Sequence, residues 1–465
     1  MRMLLSLVLS ARRIGAGAPA AVAVAAAVAF AFASAPIVRA QARPQRVVAA
    51  EAASSSSQPN AGGSNALALY EEAAGYSRRK FAEFREKNVP FDQKLHDKTM
   101  QEERDLALRN AAVLAARGPL KGSDLYYLGM LYQLSDRPEG AVDSMRRFVA
   151  ENADAAPEIL QSAHRVLIAQ AVKVGLIEEA EKSLAAYARL EPQKANERYR
   201  LENALAGAYY RKREFERAAP HAVESYKYAK LAYAKATNFQ QRDEVLYNAG
   251  LVVADIHLKL KRRDEAVQTM QELRTLGLSY PSAELYSKAT GMLERYGETV
   301  DPAKADAALP RNTVPAPDFV ATQWIDQQPL KLSDLRGQVV LLDFWATWCG
   351  PCQLTIPKLN SLHKKYKDKG LTILGLTRFY GEGGGRPLNT TEELEFLRQF
   401  KKRYGIGYGF VIADAEENRD AFGVSALPTA VLIDKRGSVR HIITGVYPGS
   451  DEELASMIKR LIQEP

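Results

Sequence analysis

The chain has 465 residues, of which 46% are hydrophobic and 25% charged, with a formal net charge of +8 and only two cysteines. That length exceeds one ordinary domain, and the apolar-to-charged balance is that of a soluble globular protein rather than a disordered or fibrous one. Residues 1–40 hold four arginines and no acid, so the rest carries +4, an ordinary balance that does not argue for a nucleic-acid partner.

Arg2, Arg12 and Arg13 precede a charge-free, alanine-rich run from Ile14 to Val38, and Val38-Arg39-Ala40 places small residues before a possible cut at Gln41. A positive start, an apolar middle and a small-residue exit predict a secretory signal over 1–40. Residues 14–38 are also long enough to serve as an uncleaved membrane anchor. Either outcome places the functional part outside the cytoplasm, periplasmic or secreted. Residues 41–64 are rich in Ser, Ala, Gly and Pro and read as a flexible linker.

Over 65–298 proline is sparse and apolar residues recur every three or four positions, as in Leu125, Leu128 and Tyr132 or Val245, Ala249, Val252 and Ile256. Leu128-Gly129-x-x-Tyr132 followed by Ala141 resembles a tetratricopeptide hairpin, with related registers ending at Ala180, Ala218 and Ala266. These alanines lie 39, 38 and 48 residues apart, against a tetratricopeptide period of 34. The expectation is an all-α array of helical hairpins, loosely tetratricopeptide-like, offering a surface for a protein partner. Tyr226, Lys227, Tyr228, Lys230, Tyr233 and Lys235 interleave aromatics with bases, but at helical spacing they read as a solvated face with packed tyrosines.

Three prolines in 299–315 break the helical pattern and mark a second linker. From 316 to 465 the texture becomes α/β: Val339–Phe344, Leu371–Leu376 and Ala430–Ile433 read as buried strands, with helices over 352–368 and 391–404 between them. Gly381–Gly385 follows no phosphate-loop pattern and reads as a mobile insertion beside Phe379 and Tyr380.

Both cysteines fall in LLDFWATWCGPCQLTIP, directly after a predicted strand. Three readings are open: a metal clip, a structural disulfide or a redox pair. Structural zinc generally takes four ligands, and none of the six histidines shows ligand spacing to Cys349 and Cys352. A structural disulfide closing so short a loop constrains little of the unfolded chain. Redox exchange fits best: Cys349 opens a helix, with Pro351 where a missing N–H is tolerated, and free N–H groups there favour a thiolate. Cys349 is then the exposed nucleophile and Cys352 the buried resolving thiol, in chemistry that needs no cofactor and no metal.

These residues carry a family resemblance. Ala316-Pro317-Asp318-Phe319, Leu332-Ser333-Asp334-Leu335-Arg336-Gly337, Phe344-Trp345-Ala346-Thr347-Trp348-Cys349-Gly350-Pro351-Cys352, Pro357 and Val424-Ser425-Ala426-Leu427-Pro428-Thr429 resemble the exported thiol:disulfide oxidoreductases of the TlpA/ResA type. The resemblance implies a thioredoxin fold over 316–465. It implies a cis-proline loop at Pro428 facing the cysteines, with the Leu427 backbone pairing with a bound peptide. Trp348, Gly350 and Pro351 would contact that peptide. Position 343 departs from many exported relatives, which carry Asn there; Asp343, as in cytoplasmic thioredoxins, would take the proton of Cys352. The resemblance also implies a turn at Asp434–Gly437 and a final helix after Gly445. Where several relatives have a glutamate, Thr355 stands here, and Gly375 occupies the position of thioredoxin's buried lysine. The P-x-x-x-T-x-x-C pattern of peroxidases is absent, since Leu342 and Ala346 fill those places. Gly-Pro between the cysteines resembles reducing thioredoxins, which implies reduction of exported protein disulfides, as in pathways serving apocytochrome c, with electrons from a membrane donor. The alternative is an interaction scaffold in which the redox module is secondary.

Overall fold

The computed structural model describes residues 65–298 and 315–464. The expected signal or anchor, the 41–64 linker and all of the 299–315 linker except Pro315 lie outside the described residues. By internal contacts the chain divides into two compact units, one ending at Ala232 and one beginning at Tyr233.

The first unit is helical: α1 Ala66–Ala74, α2 Tyr76–Glu86, α3 Gln93–Ala115, α4 Ser123–Leu134, α5 Pro138–Glu151, α6 Pro157–Lys173, α7 Ile177–Tyr187, α8 Ala195–Arg211 and α9 Phe215–Tyr233. Short connections set each helix against the next. The α4–α5 pair closes where Gly129 stands, since a Cβ there would lie 2.8 Å from Met145 Cε. Ala141, Ala180 and Ala218, one on the second helix of each hairpin, are fully buried. Their small side chains let neighbouring helices approach closely.

The second unit starts with three more helices, α10 Phe239–Lys259, α11 Arg263–Ser279 and α12 Ala283–Arg295. Here too a glycine sets the approach: a Cβ on Gly277 would sit 2.6 Å from the backbone nitrogen of Tyr286. The α/β fold follows, in the order β1 Gln323–Ile325, β2 Val339–Phe344, α13 Gly350–Tyr366, β3 Leu371–Arg378, β4 Glu382–Gly383, β5 Arg386–Pro387, α14 Thr390–Arg403, β6 Gly409–Ala413, α15 Glu417–Ala421, β7 Thr429–Ile433, β8 Val439–Thr444 and α16 Ser450–Gln463. Six strands form one mixed sheet, ordered β1-β6-β3-β2-β7-β8. β2 pairs parallel with β3 and antiparallel with β7. At the tip of the β7–β8 turn, Asp434 accepts the N–H groups of Arg436 and Ser438, both at 2.9 Å.

β2 is buried along its whole length, as a continuous aliphatic run requires. Val339 and Leu341 share one apolar cluster with Ile356 and Leu359 of α13, Leu397 and Phe400 of α14, and Ile458 and Leu461 of α16. Val340, Leu342 and Phe344 face the opposite cluster, with Leu374, Phe422 and Val431. That second cluster also contains Leu278, Ala283 and Tyr286, so helices upstream of the proline-rich segment complete the core beneath the sheet.

The segment 381–387 differs from the mobile insertion expected. It forms the two-stranded β4–β5 hairpin, with Gly383 buried so tightly that a Cβ would meet Phe396 at 2.7 Å. Its root is fixed by the buried Glu393, whose carboxylate accepts the N–H groups of Tyr380 and Gly381, both at 2.8 Å. Strands β1, β6 and β8 are too short or too mixed in composition to stand out as runs.

All three tryptophans lie in the α/β fold, so their fluorescence reports this unit. Tyr286→Ala should destabilise the tryptophan-reported transition by about 3–5 kcal/mol, the usual range for truncating a large buried ring. Denaturant unfolding followed by tryptophan emission checks this, and an unchanged midpoint would show that α12 is not part of that core.

Candidate active site: a disulfide at a helix start

The site is built where β2 ends. Trp345 turns inward, packed between the tilted rings of Phe400 at 5.2 Å and Phe410 at 4.8 Å. Cys349 then caps α13, and its Sγ accepts the Cys352 N–H at 3.2 Å. Sulfur therefore sits where unpaired helix N–H groups and the helix dipole favour negative charge. Cys349 and Cys352 are joined as a disulfide. The helix continues through Pro357. Thr355 donates its hydroxyl to the Cys352 carbonyl at 2.8 Å, an intrahelical bond that leaves no acid at that position.

The sulfurs are less open than the sequence suggests. Cys349 is only 5% exposed and Cys352 2%. The accessible surface belongs to Trp348, at 55%, and to the exposed Gly350 and Pro351. Cys349 reaches solvent through a groove walled by Trp348, Gly350 and Pro351 on one side and Ser425, Ala426 and Leu427 on the other. Cys352 is not among the walls, so the two sulfurs remain distinct even as a disulfide. The Leu427–Pro428 peptide is cis. Pro428 itself is buried, and its carbonyl accepts the Gly445 N–H at 2.7 Å.

Asp343 lies on β2 with its side chain on the α13 side of the sheet, in register with Gly375 of β3. Burial pushes its carboxyl up to about 7 from an ordinary value near 3.8, although a hydrogen bond from the Tyr408 hydroxyl works in the other direction by favouring the anion. The Tyr408 hydroxyl is in turn raised, first by burial and then by the neighbouring carboxylate. Gly375 cannot be replaced by a long side chain, because a Cβ there would lie 2.9 Å from Trp345 Nε1. Tyr408 is therefore the polar partner Asp343 has. Sequence reading missed it because it precedes β6, a strand that gave no clear run.

Arg419 is the other residue the motif did not announce. It lines the groove beside Cys349. Its Nε donates to the Val424 carbonyl at 3.2 Å, and its guanidinium shares Glu416 with Arg378, at 3.2 and 2.9 Å. Arg378 also lies over the Tyr380 ring at 4.2 Å, and Tyr380 meets Trp348 edge-on at 5.4 Å. Arg419 thus brings a guanidinium to the groove beside Cys349, and a cation there favours a thiolate.

The family model that matches is Redoxin, over residues 311–458. The chain is 38% identical over 138 residues to the thiol-disulfide oxidoreductase ResA of Geobacillus kaustophilus, spanning 30% of this chain and 72% of that protein. It is 34% identical over 146 residues to ResA of Bacillus anthracis, spanning 31% and 76% respectively. A solved thiol:disulfide interchange protein of the thioredoxin family from Chlorobium tepidum is 28% identical, covering 32% of this chain and 95% of its own, with a TM-score of 0.26. The chain thus belongs to the ResA-type thiol-disulfide oxidoreductases, with its thioredoxin-like module preceded by a long helical region.

Proposed function

We propose that this protein is exported and reduces disulfides of extracytoplasmic proteins through Cys349 and Cys352. The observation that carries this reading is the asymmetry of the pair, since Cys349 opens onto the groove and Cys352 does not. In the reduced protein, the Cys349 thiolate attacks one sulfur of a substrate disulfide. A mixed disulfide forms and the other substrate sulfur leaves as a thiolate, which takes a proton. The Cys352 thiol then passes its proton to Asp343 and attacks Cys349 Sγ. The second substrate thiolate departs, and the protein is left with the Cys349–Cys352 disulfide. Two electrons have moved from the pair to the substrate. A dithiol donor at the membrane restores the reduced pair by the same exchange in reverse.

Asp343 suits its role because a carboxyl near 7 is divided between acid and base at neutral pH. Leu427, with Pro428 behind it, supplies the wall along which an extended substrate segment lies. Trp348, Gly350 and Pro351 form the opposite lip. Export rests on the charge-free run 14–38 behind three arginines. Among the described residues no helix is long and apolar enough to cross a membrane. The helical hairpins of the first unit, whose first helices α4, α6 and α8 begin at 123, 157 and 195, read as a loose tetratricopeptide-like array for a protein partner.

Replacing Cys352 with Ser should arrest the cycle at the mixed disulfide and trap substrate polypeptides through Cys349. Non-reducing gels of cell extracts, with the double-serine variant as control, check this. Equal capture by both variants would contradict a role for Cys349 as nucleophile.

Asp343 also makes a pH-dependent contribution to stability. Its folded carboxyl is raised, so the contribution of its neutral form is complete below about pH 4 and is lost as pH rises through about 7. Asp343→Asn removes this loss. The variant should gain a few kcal/mol over wild type between about pH 4 and pH 8, read by denaturant unfolding of the oxidised proteins. A stability gap independent of pH would contradict the burial-driven shift. The same variant should slow resolution of the mixed disulfide about tenfold or more near neutral pH.

A further inference from the structure

We infer that α12, the last helix of the helical region, is a positioning element for the substrate-binding loop 422–428. This rests on the reducing activity proposed above. The first N–H groups of a helix have no partner within it and must find one elsewhere. In α12 they are spent on the redox module: Ala283 N–H donates to the Phe422 carbonyl at 2.9 Å and Glu284 N–H to the Gly423 carbonyl at 2.8 Å.

The start of α12 is itself held rigidly. Ser282 Oγ accepts the Leu285 N–H at 3.1 Å and donates to the buried Asp243 carboxylate, which Arg242 Nε also contacts at 2.8 Å. The contact is close enough to require glycine on the loop side. Gly423 has φ +55°, and a Cβ there would lie 2.7 Å from Ser282 Oγ and 3.1 Å from Ser282 Cα. From this anchor the chain runs through Ser425, Ala426 and Leu427, the wall opposite Trp348, to Pro428.

The far end of the loop is tied to the same helix. Ser287 Oγ donates to Thr444 Oγ1 at 2.9 Å. Thr444 pairs with Thr429 across β7 and β8, and Thr429 Oγ1 donates back to the Ala426 carbonyl at 2.9 Å. One helix from outside the thioredoxin-like module thus grips both ends of the strip of backbone that a substrate would lie along. The cysteines and Asp343 are untouched by it. Its effect should therefore fall on polypeptide binding and not on the chemistry of the sulfurs.

Full-length Ala283→Pro tests this directly. Proline fits the first helical position, and Ser282 before it is already extended, at φ −112° and ψ 104°, so the substitution removes the N–H while the helix can stay. Two reactions of the reduced protein are compared: reduction of insulin, and reduction of the small aromatic disulfide dithiobis(nitrobenzoate). Ala283→Pro should lower kcat/KM for insulin about five- to tenfold, mainly through KM, with the small disulfide changed less than about twofold. Ser287→Ala should shift insulin KM in the same direction by about threefold, and Ser287→Thr should restore it. The Ser287 pair decides the matter if Ala283→Pro does not fold. Unchanged insulin KM in a folded variant would overturn the inference, as would an equal fall for both disulfides. A wild-type chain inert towards both would contradict the reducing reading itself.

Discussion

The double burial of β2 is the constraint on which the rest of the structure depends. Val339–Phe344 supplies an apolar residue to both faces of the sheet except at Asp343, so each face must be covered. On one side α13 covers it, and because only residues 345–349 separate the strand from α13, the first turn of α13 brings Cys349 and Cys352 near the strand's end. On the other side the cover includes Leu278, Ala283 and Tyr286 from the helices before the proline-rich segment. The redox pair is thus placed by a packing requirement that the thioredoxin-like residues satisfy only in part. The last helices before the proline-rich segment, α11 and α12, are therefore part of the redox unit's own core.

The single polar residue on that strand carries an electrostatic cost with a use. A carboxylate beneath a helix, away from water, is disfavoured as an anion, and one hydrogen bond from Tyr408 returns only part of what solvation would have given. The result is a carboxyl raised to about 7, on the helix-covered face where the proposed mechanism has Cys352 lose its proton. At the surface the electrostatics run the other way. The start of α13 and the Arg419 guanidinium both favour negative charge on sulfur in the groove. In the mechanism we propose, a cationic lip outside and a neutralised acid inside separate the roles of the two cysteines, although both are buried.

Much of this was legible in the residues. Val339–Phe344 emerges with the bounds expected, because a continuous aliphatic run has few alternatives to a central strand. The alanines 141, 180, 218 and 266 are all fully buried, as their recurrence in the helical hairpins implied. The motif around Cys349 and Cys352 announced the family. What the sequence concealed were contacts made over long separations. Tyr408 reaches Asp343 from just before a strand only five residues long. Arg419 comes to the groove on a short helix with no motif of its own. The hold of α12 on Phe422 and Gly423 uses backbone groups, which leave no trace in side-chain pattern. The glycine-rich 381–385 looked loose because its anchor, Glu393, lies in the following helix and resembles any other surface glutamate of an amphipathic stretch.

The direction of electron flow is the central claim, and the reduction potential of the Cys349–Cys352 pair tests it most directly. Equilibration of the full-length protein with glutathione or dithiothreitol buffers, read by the fraction of free thiol, gives that value. The account predicts a reducing pair, more negative than about −200 mV and towards the thioredoxin end of the scale near about −270 mV. A value near about −120 mV, where strong disulfide donors lie, would contradict it.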